Sequence, residues 1–260
     1  MVHTTPDETR RFVTHPAQEA GMGRKKFVYD WPRPALTVDI ALFTVTGTLQ
    51  NLKLQVLLIE RGEEPFAGHW ALPGGFVGED EDLNAAAARE LKEETGVAEA
   101  TVEQVGAIGT PGRDPRGHVV TILYAGLTPG DRHQLVATGD ARNVRWFTVG
   151  GTEPLPPLAF DHAELLKKAL AHLRHRLREA PICFNLLPER FTLSELQKLI
   201  ETLLGREIDR RNFRRRIHQL GFLEPAEGVR LEGRHRPAQL YRFNPVRFEA
   251  YLREERALPF

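Results

Sequence analysis

The chain has 260 residues, of which 41% are hydrophobic and 27% charged, with 35 basic side chains against 35 acidic ones. That is a globular composition, ample for one large core or two smaller ones. Its single cysteine, Cys183, excludes an intrachain disulfide, a Cys-rich zinc site and a thiol redox pair. Asp39 interrupts the strongest apolar run, residues 35–45, so nothing reads as a membrane span or export signal and a cytoplasmic location is expected.

Residues 1–26 are polar with little apolar periodicity and read as a flexible leader. Phe27, Tyr29 and Trp31 then alternate along an extended arm suited to core or interface packing, or to stacking on a base. Residues 36–45 and 54–60 read as two strands of a hairpin joined by the polar TGTLQN segment. The loop RGEEPFAGHWALPGGF follows. Its Arg61 can pair with a phosphate, although a loop arginine is more often solvated. Gly74 and Gly75, lacking side chains, allow a close backbone approach to a ligand or metal.

The stretch from Gly75 to Val97 is the most informative in the chain. On a helix, Glu90, Glu93 and Glu94 share one face, with Leu91, Ala87 and Ala88 forming the adjoining apolar stripe. Three crowded carboxylates repel one another, and a hard divalent cation with a preference for oxygen ligands relieves that repulsion. Gly96 ends the helix.

Residues 102–109, 119–126 and 144–149 read as further strands. Between the first two lies TPGRDPRGH, a compact charged turn whose Arg113, Asp114 and Arg116 are suited to gripping a diphosphate or ribose. A Pro/Gly-rich connector, 150–157, leads to a helix with Asp161 and Glu164 as its capping box and Leu166, Leu170, Leu173 and Leu177 as its buried stripe. The expected domains are 27–180 and 181–260.

The second domain is basic, with 15 Lys and Arg against 11 Asp and Glu from Pro181 onward. Thr192 and Glu195 cap a helix that Gly205 stops; Asp209 caps a second that Gly221 stops. On the second helix Phe213, Ile217 and Leu220 form the apolar face, leaving Arg210, Arg211, Asn212, Arg214, Arg215 and His218 for solvent. A basic helix after a capped helix and a short turn is suited to the major groove of double-stranded DNA. Residues 222–243 read as a hairpin whose turn carries Arg230, Arg234, His235 and Arg236, in the position of a basic wing. A final helix is expected over 244–256.

The spacing of Gly75, Glu81, Arg89, Glu90, Glu93, Glu94 and Gly96 is identified as the Nudix box, a motif of hydrolases acting on nucleoside diphosphates linked to another moiety. The resemblance implies an α/β fold, an α/β/α sandwich with a mixed sheet. It implies magnesium or manganese held by Glu90, Glu93 and Glu94 with help from the Gly74 carbonyl. Arg89 would orient the glutamates, Glu81 would support the cluster, and Glu93 or Glu81 would take the proton of the attacking water. Arg61, Gly75, Arg113, Asp114 and Arg116 remain the candidate substrate contacts.

Several further segments, YDWPRPALTVD, RDPRG, FDHAELLKKAL, FNLLPERFTLSELQ and DRRNFRRRI, resemble the Nudix-related transcriptional regulators of NAD metabolism and their relatives that hydrolyse ADP-ribose. That resemblance implies a C-terminal winged helix-turn-helix domain, a homodimer, and DNA contacts by Arg210, Arg211, Asn212, Arg214 and Arg215, with Arg234 and Arg236 on the wing. Many such regulators have a degraded box, whereas every fixed position is intact here. The expected function is therefore metal-dependent hydrolysis of a nucleoside diphosphate derivative, foremost ADP-ribose to AMP and ribose 5-phosphate, in a chain that also binds DNA as a ligand-responsive regulator; the alternative is a sensor of ADP-ribose or a sugar phosphate that controls transcription without catalysis.

Overall fold

The structure, a computed structural model, describes residues 30–230 and 237–253. The leader, Phe27, Tyr29, Arg234, His235 and Arg236 lie outside these residues. The expected hairpin is present as β1 (Ala35–Thr48) and β2 (Asn51–Arg61), turning at 49–50. Two short strands that the sequence did not distinguish from loop follow, β3 (Trp70–Ala71) and β4 (Gly74–Phe76). Next come α1 (Leu83–Thr95), β5 (Val102–Ile108), β6 (Val119–Leu127), β7 (Ala141–Thr148) and α2 (His162–Arg176).

These strands form one sheet in the order β3-β2-β1-β6-β5, with β4 paired to β1 and β7 to β2. β1 and β6 run parallel and the other pairs antiparallel, so the sheet is mixed. β1 is buried without interruption from Thr37 to Thr44 because both of its faces are covered. Val38, Ile40 and Leu42 pack with Ala86, Ala87 and Leu91 of α1, while Ala41 and Phe43 pack with Leu165, Leu166, Ala169 and Leu173 of α2. An α/β/α sandwich results. Ala86, not Ala88, completes the buried stripe of α1, and Ala88 is exposed.

The α2 N-terminus also departs from expectation. Asp161 makes no side-chain cap bond, because Arg113 takes both of its carboxylate oxygens, and Glu164 pairs with Lys167 instead. A charged partner outcompetes a backbone amide for the same carboxylate. The buried stripe of α2 runs through Leu165, Leu166, Ala169, Leu173 and Leu177, with Leu170 only partly covered.

Beyond α2 the chain forms β8 (Phe191–Thr192), α3 (Leu193–Leu204), α4 (Arg210–Gln219), β9 (Leu223–Arg230), β10 (Ala238–Phe243) and α5 (Pro245–Arg253). β8 joins the hairpin as the outer strand of a three-stranded sheet, order β8-β10-β9. Helix, turn, helix and hairpin therefore form a winged helix. Glu224 secures the base of the hairpin by pairing with Arg242 at 2.8 Å and Arg247 at 3.4 Å and accepting from Asn244.

The two lobes share one core, in which Leu166, Leu173 and Leu177 of α2 cluster with Phe184, Leu196, Ile200 and Leu203. Arg174 of α2 also donates to the Leu203 carbonyl at 3.3 Å, placing a cation at the negative end of α3. Gly205 closes that end in a left-handed conformation, φ 70°. No helix among the described residues is long and apolar enough to cross a membrane.

The capping box of α3 is formed, Thr192 accepting from the Glu195 amide at 3.1 Å and Glu195 from the Thr192 amide at 2.7 Å. Thr192→Ala removes one partner and should cost about 1 kcal/mol. A fall in the urea midpoint at constant m-value would measure it; an unchanged midpoint would show that the cap contributes nothing.

Candidate functional site

The acidic box is gathered around one guanidinium. Arg89 grips Glu81 with Nε and Nη2 at 2.6 and 2.8 Å, and its Nη1 reaches Glu90 at 2.7 Å and Glu93 at 3.1 Å. Nη2 also donates to the Phe76 carbonyl at 3.1 Å, joining the helix to β4. Three carboxylates raise the Arg89 pKa above its ordinary value, the Glu81 hydrogen bonds contributing most. In return Glu81, which also accepts from the Gly78 amide, is held down at about 2. The helix itself is fixed by Asp82, whose carboxylate caps the Asn84 and Ala85 amides, and by Gly96, φ 78°.

Glu94 faces the other way. It is buried, and among the described residues its carboxylate has one hydrogen bond, from the Gly74 amide at 2.8 Å. Burial pushes its pKa up to about 8, the Glu90 and Asp39 carboxylates adding to the shift while the Gly74 amide and Arg61 oppose it. Burial likewise raises Glu90. The glycine pair is required by close packing: a side-chain carbon on Gly75 would run into the Glu90 carboxylate, and one on Gly74 into the Val38 carbonyl.

This donor set fits a hard divalent cation, because Glu90 and Glu94 are crowded and partly desolvated, and Glu94 stands outside the Arg89 pairings. Among the described residues, no three His, Cys, Asp or Glu side chains stand close enough together to hold an ion as they are placed. Arg89 accounts for part of that spread, since it draws Glu90 and Glu93 to itself while Glu94 turns toward β4. The box thus supplies the right oxygens in an open arrangement.

The turn 110–118 is not the surface grip expected from its sequence. The Arg113 side chain is 5% exposed and points inward, with two bonds to Asp161 of 2.9 and 2.7 Å and Asp39 at 3.7 Å. Asp114 is buried and forks Arg116, Nε to Oδ1 at 3.1 Å and Nη2 to Oδ2 at 2.7 Å. Only Arg116 of the three has a partly exposed side chain, with its guanidinium 4.8 Å from the Phe76 ring centre and 5.4 Å from that of Phe160. Arg61 lies over the same Phe160 ring at 4.9 Å and donates to the Pro65 and Glu63 carbonyls.

Asp39 and His162 were not anticipated as site neighbours. His162 is buried, and its Nδ1 accepts from the Leu72 amide at 3.0 Å, so in the neutral ring Nε2 carries the proton and faces Asp39 at 3.5 Å. The one available signal was Asp39 itself, a charge inside an apolar strand. Phe76 and Phe160 carried no such signal, since a phenylalanine in a loop resembles any other core residue.

On the second lobe α4 buries Phe213 and Ile217 and leaves Arg210, Arg211, Asn212, Arg215 and Arg216 exposed. Arg214 departs from the expected solvent face: it is half-buried and reaches Ser194 of α3 at 3.4 Å. Arg215 donates to Asn212 at 2.9 Å.

The comparisons with known proteins agree with this architecture. Residues 37–169 match the model of the NUDIX domain, and residues 183–243 match that of the NrtR DNA-binding winged helix domain. The chain is 41% identical to the ADPR responsive transcriptional repressor NtrR of Acinetobacter baylyi, over 82% of this chain and 84% of that protein. It is 42% identical to an ADP-ribose pyrophosphatase of Methanocaldococcus jannaschii, over 44% of this chain and 64% of that one. Among solved structures it resembles Shewanella oneidensis NrtR complexed with a 27mer DNA, with a TM-score of 0.67 and 36% identity, covering 86% of this chain and 97% of that chain.

The buried imidazole makes stability depend on pH. Burial holds the His162 pKa below its ordinary 6.5, outweighing the Asp39 and Asp161 carboxylates. The unfolded chain then takes up a proton near that pH that the folded chain refuses, so the stability present above it is lost as pH falls. His162→Asn keeps an acceptor for Leu72 and should flatten the decline in melting temperature between about pH 7 and 5. An unaltered slope would show that His162 is not its source.

Proposed function

The chain belongs to the Nudix family, in the branch that carries an NrtR winged helix, and from this we propose that it is a DNA-binding regulator that responds to a nucleoside diphosphate ligand, foremost ADP-ribose. The observation that carries the reading is the exposed arginine face of α4, set on a helix pair that shares its core with the Nudix lobe. Arg210, Arg211 and Arg215 are suited to phosphates and base edges, with Asn212 between them. A homodimer is the expected assembly, since two winged helices double the contacts to a two-fold operator. The name of the Acinetobacter relative, an ADP-ribose-responsive repressor, supports both halves of the proposal.

The same lobe is also proposed to hydrolyse its ligand to AMP and ribose 5-phosphate. The specific support is the intact box, whose five charged members are all engaged, four through Arg89 and Glu94 through the Gly74 amide. A sensor alone has no need of so many crowded carboxylates. Glu90, Glu93, Glu94 and the Gly74 carbonyl would hold magnesium or manganese, which when bound neutralises the diphosphate and activates water.

Arg89 orients Glu90 and Glu93 and fixes their distance from β4. Glu81, held at about 2 by the Arg89 fork, positions that guanidinium and is a poor proton acceptor near neutrality. Glu93 has one 3.1 Å contact and a 57% exposed side chain, so it is the more available acceptor for the water's proton.

Two measurements test the two activities. Purified protein with magnesium and ADP-ribose should release AMP, and Glu93→Gln should lower the rate by about 100-fold or more, the scale of a lost general base. Absence of AMP release from the unsubstituted chain would leave sensing alone. Reversing Arg211 and Arg215 to Glu should abolish the salt-dependent complex with upstream DNA while AMP release continues. Unchanged DNA binding would remove α4 as the recognition helix.

A further inference from the structure

We propose that Phe76, Arg116 and Phe160 form a stacking platform that reads the planar base of the bound nucleoside diphosphate, and so determines which nucleotide the cleft accepts. The inference rests on the nucleotide-binding reading above and adds to it the part of the ligand that the acidic box does not touch.

Carboxylates and cations recognise the diphosphate, which every such ligand shares. Selection among ligands therefore requires a surface that contacts the base, and a base offers a flat π-face with polar edges. Phe76, Arg116 and Phe160 provide a counterpart at the margin of the box. Phe76 follows Gly75 directly, and its carbonyl accepts from Arg89, so the ring is carried by the same strand that holds the acidic cluster.

Phe76 is nonetheless 47% exposed, so one side of the ring stays open beside the box. The Arg116 guanidinium lies against it at 4.8 Å and against Phe160 at 5.4 Å. Its orientation is set by the fork from buried Asp114, which leaves a planar cation with a fixed face and free edge.

Phe160 is held by unusual means. Its φ is 52°, and that of Phe66 is 66°, the two non-glycine residues with positive φ among the described residues, and their rings meet edge to face at 4.8 Å. Aromatic residues pay a steric cost in that conformation, and such strain is maintained where the surroundings over-determine it. Here it turns Phe160 beneath two guanidinium groups, Arg116 and Arg61, which repel each other.

Arg61 also feels the Glu94 carboxylate, so the platform and the metal-ligand candidates are joined by a cation suited to the intervening phosphates. Asp114 and Glu94 offset the two like charges over the Phe160 ring and keep both cations there, and Phe76 holds an exposed face beside them. A ligand with a diphosphate at one end and a base at the other matches both features.

The test is calorimetric titration of the full chain with ADP-ribose and, as a base-free comparison, ribose 5-diphosphate. Phe76→Ala should weaken ADP-ribose about 10-fold or more and leave the base-free ligand unchanged, whereas Phe76→Trp should restore ADP-ribose binding. Arg116→Lys, which keeps charge but loses the planar fork, should also reduce the preference for the ligand with a base. Equal weakening of both ligands by Phe76→Ala would assign the ring a structural role and overturn the platform. So would unaltered ADP-ribose affinity in that variant. If the unsubstituted chain fails to bind ADP-ribose, the functional reading itself falls; if it binds and only the variant result fails, the platform alone is lost.

Discussion

The pairing of Arg89 with Glu81, Glu90 and Glu93 is the interaction on which the Nudix cleft depends. Without a cation at that point, carboxylates three and four residues apart on one helix would repel across a partly desolvated surface. The guanidinium has enough donors to serve all three and to reach the Phe76 carbonyl as well, which a lysine could not do with the same geometry. Charge balance and strand position are therefore set together. Glu94 lies outside this arrangement, and its high pKa reflects a carboxylate that burial has left with one amide donor.

A second ionic group operates behind the cleft. Arg113, Asp161, Asp39 and the neutral His162 link the 110–118 turn to β1 and to the first turn of α2. The other end of α2 holds Arg174 against the terminal carbonyls of α3, and its apolar stripe enters the core shared with the winged helix. One helix thus touches both the ionic group beside the acidic box and the helix that precedes α4. Ligand binding can alter DNA affinity only by favouring one arrangement of such shared elements over another.

The misplaced expectations share a cause. Asp161 followed by Glu164 has the form of a capping box, and the RDPR turn has the form of a surface charge cluster, when each is considered alone. Brought within 3 Å of each other, Arg113 and Asp161 satisfy one another and cancel both readings. Arg214 is similar: on a helical projection it joins the solvent face, but packing of α3 against α4 half-buries it beside Ser194. Local pattern assigns a side chain to a face; only its neighbours decide what it does there.

By itself the sequence determined the features that depend on spacing along one chain. These include the acidic face of α1, the stops at Gly96 and Gly205, the capping box at Thr192 and the basic helix after Asp209. Helix periodicity and cap chemistry act within a few residues and are legible without a partner. Tertiary structure alone decided that β1 and β6 pair in parallel, that a buried Asp39 meets His162 from 123 residues away in sequence (162 less 39), and that the Arg116 guanidinium lies over both Phe76 and Phe160. Those contacts join residues remote in sequence, where charge and aromaticity are visible but direction is not. Burial and direction, set only when the sheet closes between its two helices, decide which carboxylates of the acidic motif are buried and which exposed, and join α2 to the core of the winged helix.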